Sequence, residues 1–144
     1  MLFLSLFVTE KYDYKDAKSI LSKDVTKKID LFLKSLKEKK QKDEISSLDI
    51  SEKKKCFIIK IKNKFENYYF EELGGSFFTY IKNYKTINSV DIHADSLNEN
   101  KDKLSKLFSE FIFGFNLKSY TFNKYKTLNK EKINKKVNYK IISS

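Results

Sequence analysis

The chain of 144 residues contains no proline, tryptophan or arginine, and only one cysteine, one histidine, one methionine and three glycines. Each shortage excludes something. A lone thiol, Cys56, cannot form a disulfide within the chain, which suits a reducing compartment and points to a cytoplasmic protein. One histidine, His93, and one cysteine cannot supply a conventional zinc site, which needs clustered ligands. Without arginine there is no planar fork for reading base edges, so any nucleic-acid contact would fall on phosphates and be nonspecific. The glycines, Gly74, Gly75 and Gly114, form neither a GxGxxG nor a GxxxxGK[ST] phosphate loop. Met1–Val8 is apolar but too short to span a bilayer, and lacks a basic leader or a small-residue cleavage site. It reads as a buried strand, and no membrane association is expected.

What the chain does contain is lysine and phenylalanine. All 30 basic residues are lysine, set against 19 acids, for a net charge of +11. Apolar residues reach 40% and aromatics 15%, too much hydrophobic content for a disordered chain despite 34% charged residues. One domain over residues 1–144 is expected. The positive excess is uneven: residues 1–52 hold 11 lysines against 10 acids, whereas residues 118–144 hold 8 against 1. A solvated surface is the plain reading, and nonspecific DNA binding through the basic C-terminal stretch is the functional one.

Hydrophobic spacing marks the elements. Leu2–Thr9 is a continuous apolar run, as in a strand buried on both faces. Tyr12 and Tyr14 suggest a short edge strand. Asp24 is placed to cap a helix carrying Val25, Ile29, Phe32, Leu33 and Leu36 on one stripe, with Lys27, Lys28, Lys34 and Lys37 opposite. Residues 38–44 read as a solvated turn and Ile45–Ile50 as a short strand. Lys55–Lys62 is the clearest central strand, with Cys56 as a small hydrophobe in it.

A second helix is expected over Asn67–Tyr84, with Tyr69, Phe70, Leu73, Phe77, Tyr80, Ile81 and Tyr84 inward. Glu71 and Glu72 are adjacent on it, about 100° apart around the axis, and so do not converge as an acid–base pair. Gly74-Gly75 marks either a helix break or a face packed closely against backbone. Ser89–Ala94 alternates as a half-buried strand with Asp91 and His93 on its polar face. A third helix over Asn98–Leu117 carries Leu104, Leu107, Phe108, Phe111, Ile112 and Phe115, and Val137–Ile142 is a last strand. Alternating strands and helices predict a single α/β domain, with a mixed, mostly parallel sheet and helices on both faces.

Beyond Gly114 comes Tyr120-Thr-Phe122-Asn123-Lys124-Tyr125-Lys126-Thr127. This run resembles a Tyr-x-Phe-Asp/Asn-Lys/Arg-Tyr-Lys/Arg-Thr signature of the N-terminal, noncatalytic domain of the leucyl (cytosol) aminopeptidase family. Glu71-Glu72-Leu-Gly74-Gly75 opens the preceding helix much as in family members. The resemblance covers residues 55–144 and is only topological over 1–54. It implies a macro-domain-like fold, a role in hexamer assembly and active-site access, and a separate catalytic domain with two divalent metal ions, zinc or manganese. Its implied partners are that catalytic domain and homo-oligomer neighbours; some relatives bind DNA, for which the lysines of 118–140 are the candidate surface. No catalytic, cofactor-binding or metal position falls in this chain, so the signature residues are structural. Where the family often has a Gly-Leu-Gly turn, this chain has Ile61-Lys-Asn-Lys64, without the glycines that let backbone approach a ligand closely. The alternative reading is a freestanding macro-like binding module that contacts nucleic acid nonspecifically.

Overall fold

The structure is a computed structural model. It describes residues 2–15, 22–40, 42–84, 86–97, 99–128 and 137–142, with the backbone alone at 95, 101, 123–128 and 142. The elements in chain order are β1 (Leu2–Val8), α1 (Lys23–Glu38), β2 (Ile45–Ser51), β3 (Lys54–Lys60), α2 (Tyr69–Ile81), β4 (Ser89–His93), a short 3-10 turn (Ala94–Ser96), α3 (Lys101–Leu128) and β5 (Asn138–Ile142). The sheet order is β2-β3-β1-β4-β5. β1 pairs parallel with β3 and β4, and β2 pairs antiparallel with β3, so the fold is α/β with a mixed sheet. The chain divides into two compact units, the first comprising Met1–Lys64, Ser89–Glu99 and Tyr139–Ser144, the second Phe65–Asn88 and Asn100–Asn138.

In the first unit two periodicities meet. Leu4, Leu6 and Val8 face one side of β1, and Cys56 and Ile58 extend that face across β3. Val25, Ile29, Leu33 and Leu36 of α1 recur every three or four residues and close over it. Burial raises the Cys56 thiol far above its ordinary range and keeps it protonated. Lys28 Nζ donates to the Ile50 carbonyl at 2.5 Å, tying α1 to β2. The helix starts two residues earlier than a cap at Asp24 would place it: Ser22 is the cap, its Oγ accepting from the Val25 N–H at 3.3 Å.

The register Leu6↔His93 ends the β1–β4 ladder, and a side chain extends it. Ser96 Oγ accepts from the Phe7 N–H at 2.8 Å and donates to the His93 carbonyl at 2.6 Å. His93 is buried at 4% exposure, not on a polar face as its alternation with Ile92 suggests. β4 is an interior strand, and a five-residue alternation cannot distinguish that position from a half-exposed one.

The second unit is a pair of helices packed at backbone distance. A Cβ at Gly74 would overlap the Phe111 carbonyl, and one at Gly114 would overlap the Glu71 carbonyl. No glycine has positive φ, so these residues supply space rather than unusual dihedrals. Gly74 is therefore a close-packing site, and the Gly74-Gly75 pair is not a helix break. Phenylalanines fill the rest of the contact: Phe77 lies 5.9 Å from Phe111, and Phe78 meets Phe115 edge-on at 5.4 Å between centroids. Phe78, outside the stripe expected from spacing, is fully buried, while Tyr80 and Tyr84 are half-buried.

α3 is longer than the sequence suggests. It starts from Asn100, whose Oδ1 accepts from the Lys103 N–H at 2.8 Å, and it runs through Gly114 and the whole aromatic signature to Leu128. Nothing in 115–128 stops it, since no proline or further glycine occurs there. Among the described residues no helix is long and apolar enough to cross a membrane.

Candidate functional site

The first unit holds a groove of about 370 Å³ bounded by Lys11–Tyr14, which follow β1, and by Asp30, Leu33, Lys34 and Lys37 of α1. Lys11–Tyr14 place it at the carboxyl end of β1, beside α1, and no residue of β4 lines it. Chain leaving β1 leads toward β2 and β3 on one side, and chain leaving β4 leads to β5 on the other. In open α/β sheets such a reversal leaves a crevice beyond the carboxyl ends of the strands, where ligands bind.

The β1 exit is a turn, not the edge strand that Tyr12 and Tyr14 suggest. The Thr9 N–H donates to the Asp13 carbonyl at 2.9 Å, and the Tyr12 N–H to the Thr9 carbonyl at 2.8 Å. Thr9 Oγ1 accepts from the N–H groups of Lys11 and Asp13. Closing this loop puts Tyr12 at φ 63°, a left-handed conformation costly for a bulky side chain and the kind of strain that clusters at functional sites. Three contacts hold it there. Lys60 Nζ donates to the Tyr12 hydroxyl at 3.3 Å and sits 5.2 Å from its ring centroid. Glu10 Oε1 accepts from the Asn63 N–H at 3.2 Å, and the Ile61 N–H donates to the Val8 carbonyl at 2.8 Å. Tyr14 reaches across the groove, its hydroxyl donating to Asp30 Oδ1 at 2.9 Å.

The groove thus offers two tyrosines, the apolar surface of Leu33, and three lysines against two carboxylates, one of them held by Tyr14. Lys34 and Lys37 lie on the last turns of α1, where the helix dipole partly offsets their charge. Ile61–Lys64 carries no glycine, so any anion here meets lysine side chains rather than a backbone cradle. Sequence reasoning noted Tyr12, Tyr14, Lys34 and Lys37 but not their convergence. The available signal was a buried strand leading into a Tyr-x-Tyr turn before an amphipathic helix.

The signature residues do not form a site of their own. Glu71 is half-buried and Glu72 exposed, while Gly74 and Gly114 are packing glycines. Gly75 has only ordinary contacts, the Gly114 carbonyl lying 3.6 Å from its would-be Cβ. Tyr120 is 66% exposed, so it does not take the structural place that the resemblance implies for it. Phe122 is half-buried, edge-on to Phe78 at 5.9 Å and under Lys82 Nζ at 4.6 Å. The side chains of Asn123, Lys124, Tyr125, Lys126 and Thr127 lie outside the described residues. No three His, Cys, Asp or Glu side chains among the described residues come together as a metal site.

No family model and no curated protein sequence matches this chain. Among solved structures it is similar to the macrodomain of Thermus aquaticus DarG, at TM-score 0.62 and 11% sequence identity, over 99% of this chain and 89% of that one. At that identity the likeness shows the fold, which is macrodomain-like. It also corrects the sequence-based expectation. That neighbour is a macrodomain, and no family model or curated relative names a leucyl aminopeptidase. The peptidase activity and the hexamer role therefore fall away. The metal pair and the catalytic-domain partner rest on that resemblance alone and are not carried further. A short aromatic–lysine run is easily reproduced in a chain so rich in both, and here it spans helix rather than a helix exit.

Proposed function

We propose that this chain is a binding module of macrodomain-like fold, whose ligand is a small anion with a planar or apolar part. The observation that carries the reading is the groove at the carboxyl edge of the sheet, where Tyr12 is held in a left-handed conformation beside converging lysines. Lys11, Lys34 and Lys37 would hold the negative group and Leu33 with Tyr14 the apolar part, side chains replacing the glycine-lined cradle this chain lacks. A cytoplasmic location fits the single thiol.

The test is a thermal-shift screen of small anions with and without an aromatic ring. A true ligand at 100-fold its Kd adds about 2.7 kcal/mol of stability. The shift should vanish in Lys34→Ala and Tyr14→Ala. Shifts that persist in both variants would move the site elsewhere.

A second reading has its own observation. The stretch 118–144 carries 8 lysines against 1 acid, enough for salt-dependent, nonspecific contact with nucleic acid.

A further inference from the structure

We propose that the outer face of α3 contacts single-stranded nucleic acid by stacking bases on Phe113 and Tyr120. This rests on the second reading above for its electrostatics and adds a preference for unpaired strands.

Phe113, Leu117 and Tyr120 are exposed by 58%, 49% and 66%, and they follow one another at spacings of four and three residues. They form one stripe on a 28-residue helix whose opposite side is buried through Phe111 and Phe115. The two rings stand about 10 Å apart along the axis. Contiguous exposed apolar residues of this size mark a contact surface.

The stripe's limits decide among occupants. Continuing the same spacing toward the N-terminus gives Glu110 and then Lys106, both polar. The seam is about one heptad long, whereas a coiled-coil partner needs three or four. It spans only about 60° of the helix circumference, with Ser109 and Asn116 beside it, against the apolar face of about 100° or more that packs an amphipathic helix. A membrane-surface helix, too, needs a strong division of apolar and polar faces, and this stripe is too narrow to give one. Two exposed rings with an apolar residue between them suit bases, each of which has a face to stack. Exposed Lys106, in line with the stripe, matches a phosphate backbone in sign. Without arginine the contact reads no base edges, so little sequence preference is expected.

The test measures anisotropy of a dye-labelled oligothymidylate and of a hairpin duplex of equal phosphate count, over a salt series. The single strand should bind more tightly. Phe113→Ala with Tyr120→Ala should weaken single-strand binding about 30-fold or more, leaving duplex binding, the salt slope and the melting temperature unchanged. Lys106→Gln should lower the single-strand salt slope by about 0.7. Equal affinity for both oligonucleotides, or affinity indifferent to the rings, overturns stacking while sparing the electrostatic reading. No binding to either at low salt removes both. Ring-dependent binding to phosphatidylserine vesicles, or ring-dependent self-association in sedimentation, assigns the stripe to another occupant and also overturns the proposal.

Discussion

The two units are built by opposite means. In the first, α1 meets the strands through side chains: Ile29 and Leu33 fill space above Leu6 and Ile58, and specificity comes from what projects. In the second, α2 and α3 meet where nothing projects, at Gly74 and Gly114, and large rings fill the space on either side. A core of the first kind tolerates volume-conserving exchange, because neighbours can repack. A glycine contact does not, because the opposing atom is a backbone carbonyl with no freedom to move aside.

The widest break in that comparison comes from adding one methyl group. Gly74→Ala and Gly114→Ala should each destabilise the protein by about 3 kcal/mol or more, beyond ordinary overpacking, since a Cβ there overlaps backbone. Chemical denaturation measures this directly. A loss under 1 kcal/mol would mean that the helices can separate cheaply.

The next effect belongs to the first unit. Ser96→Ala removes the acceptor of the buried Phe7 N–H and should cost about 1–3 kcal/mol, although only a hydroxyl is lost. Ser96→Thr, which keeps the acceptor, should recover part of it.

Cys56 gives an effect of similar size that depends on pH. Its thiol is raised by burial, so the folded state holds its proton more tightly than the unfolded chain does. That contribution is complete below the unfolded value of about 8.5 and is lost as pH rises above it, by about 1.4 kcal/mol per pH unit. Cys56→Ala should remove this slope from stability measured between pH 8.5 and 10. A slope identical in the variant would place the cause in other groups.

The smallest effect belongs to the neighbouring glycine. Gly75→Ala, one residue from Gly74, adds a methyl group at ordinary contact distance and gains helix propensity of about 1 kcal/mol. It should be neutral or stabilising. Adjacent glycines with opposite responses would show that the contact depends on position, not composition.

These residues also mark how far the sequence could be read. β1, β3 and α1 were legible because burial leaves continuous or periodic apolar runs, and the α/β class followed from their alternation. The ends of α3 were not. Aromatic residues alternating with polar ones after Gly114 look like a departure from helix, but a glycine deep in a packed helix pair says nothing about where the helix ends. The role of each glycine in Gly74-Gly75 depends on an opposing carbonyl some forty residues away in sequence. The groove was the least legible part, because Tyr12 at φ 63° and the reach of Tyr14 to Asp30 are properties of a closed turn, with no periodic trace.

The proposed function puts the ligand site in the first unit. A two-dimensional amide NMR titration with the strongest small anion from the thermal screen tests it most directly. Shifts should concentrate at Lys11–Tyr14 and at residues 30–37 of α1, saturate together and be abolished in Lys34→Ala. Saturating shifts confined to α2 and α3, with residues 11–14 unmoved, would contradict it.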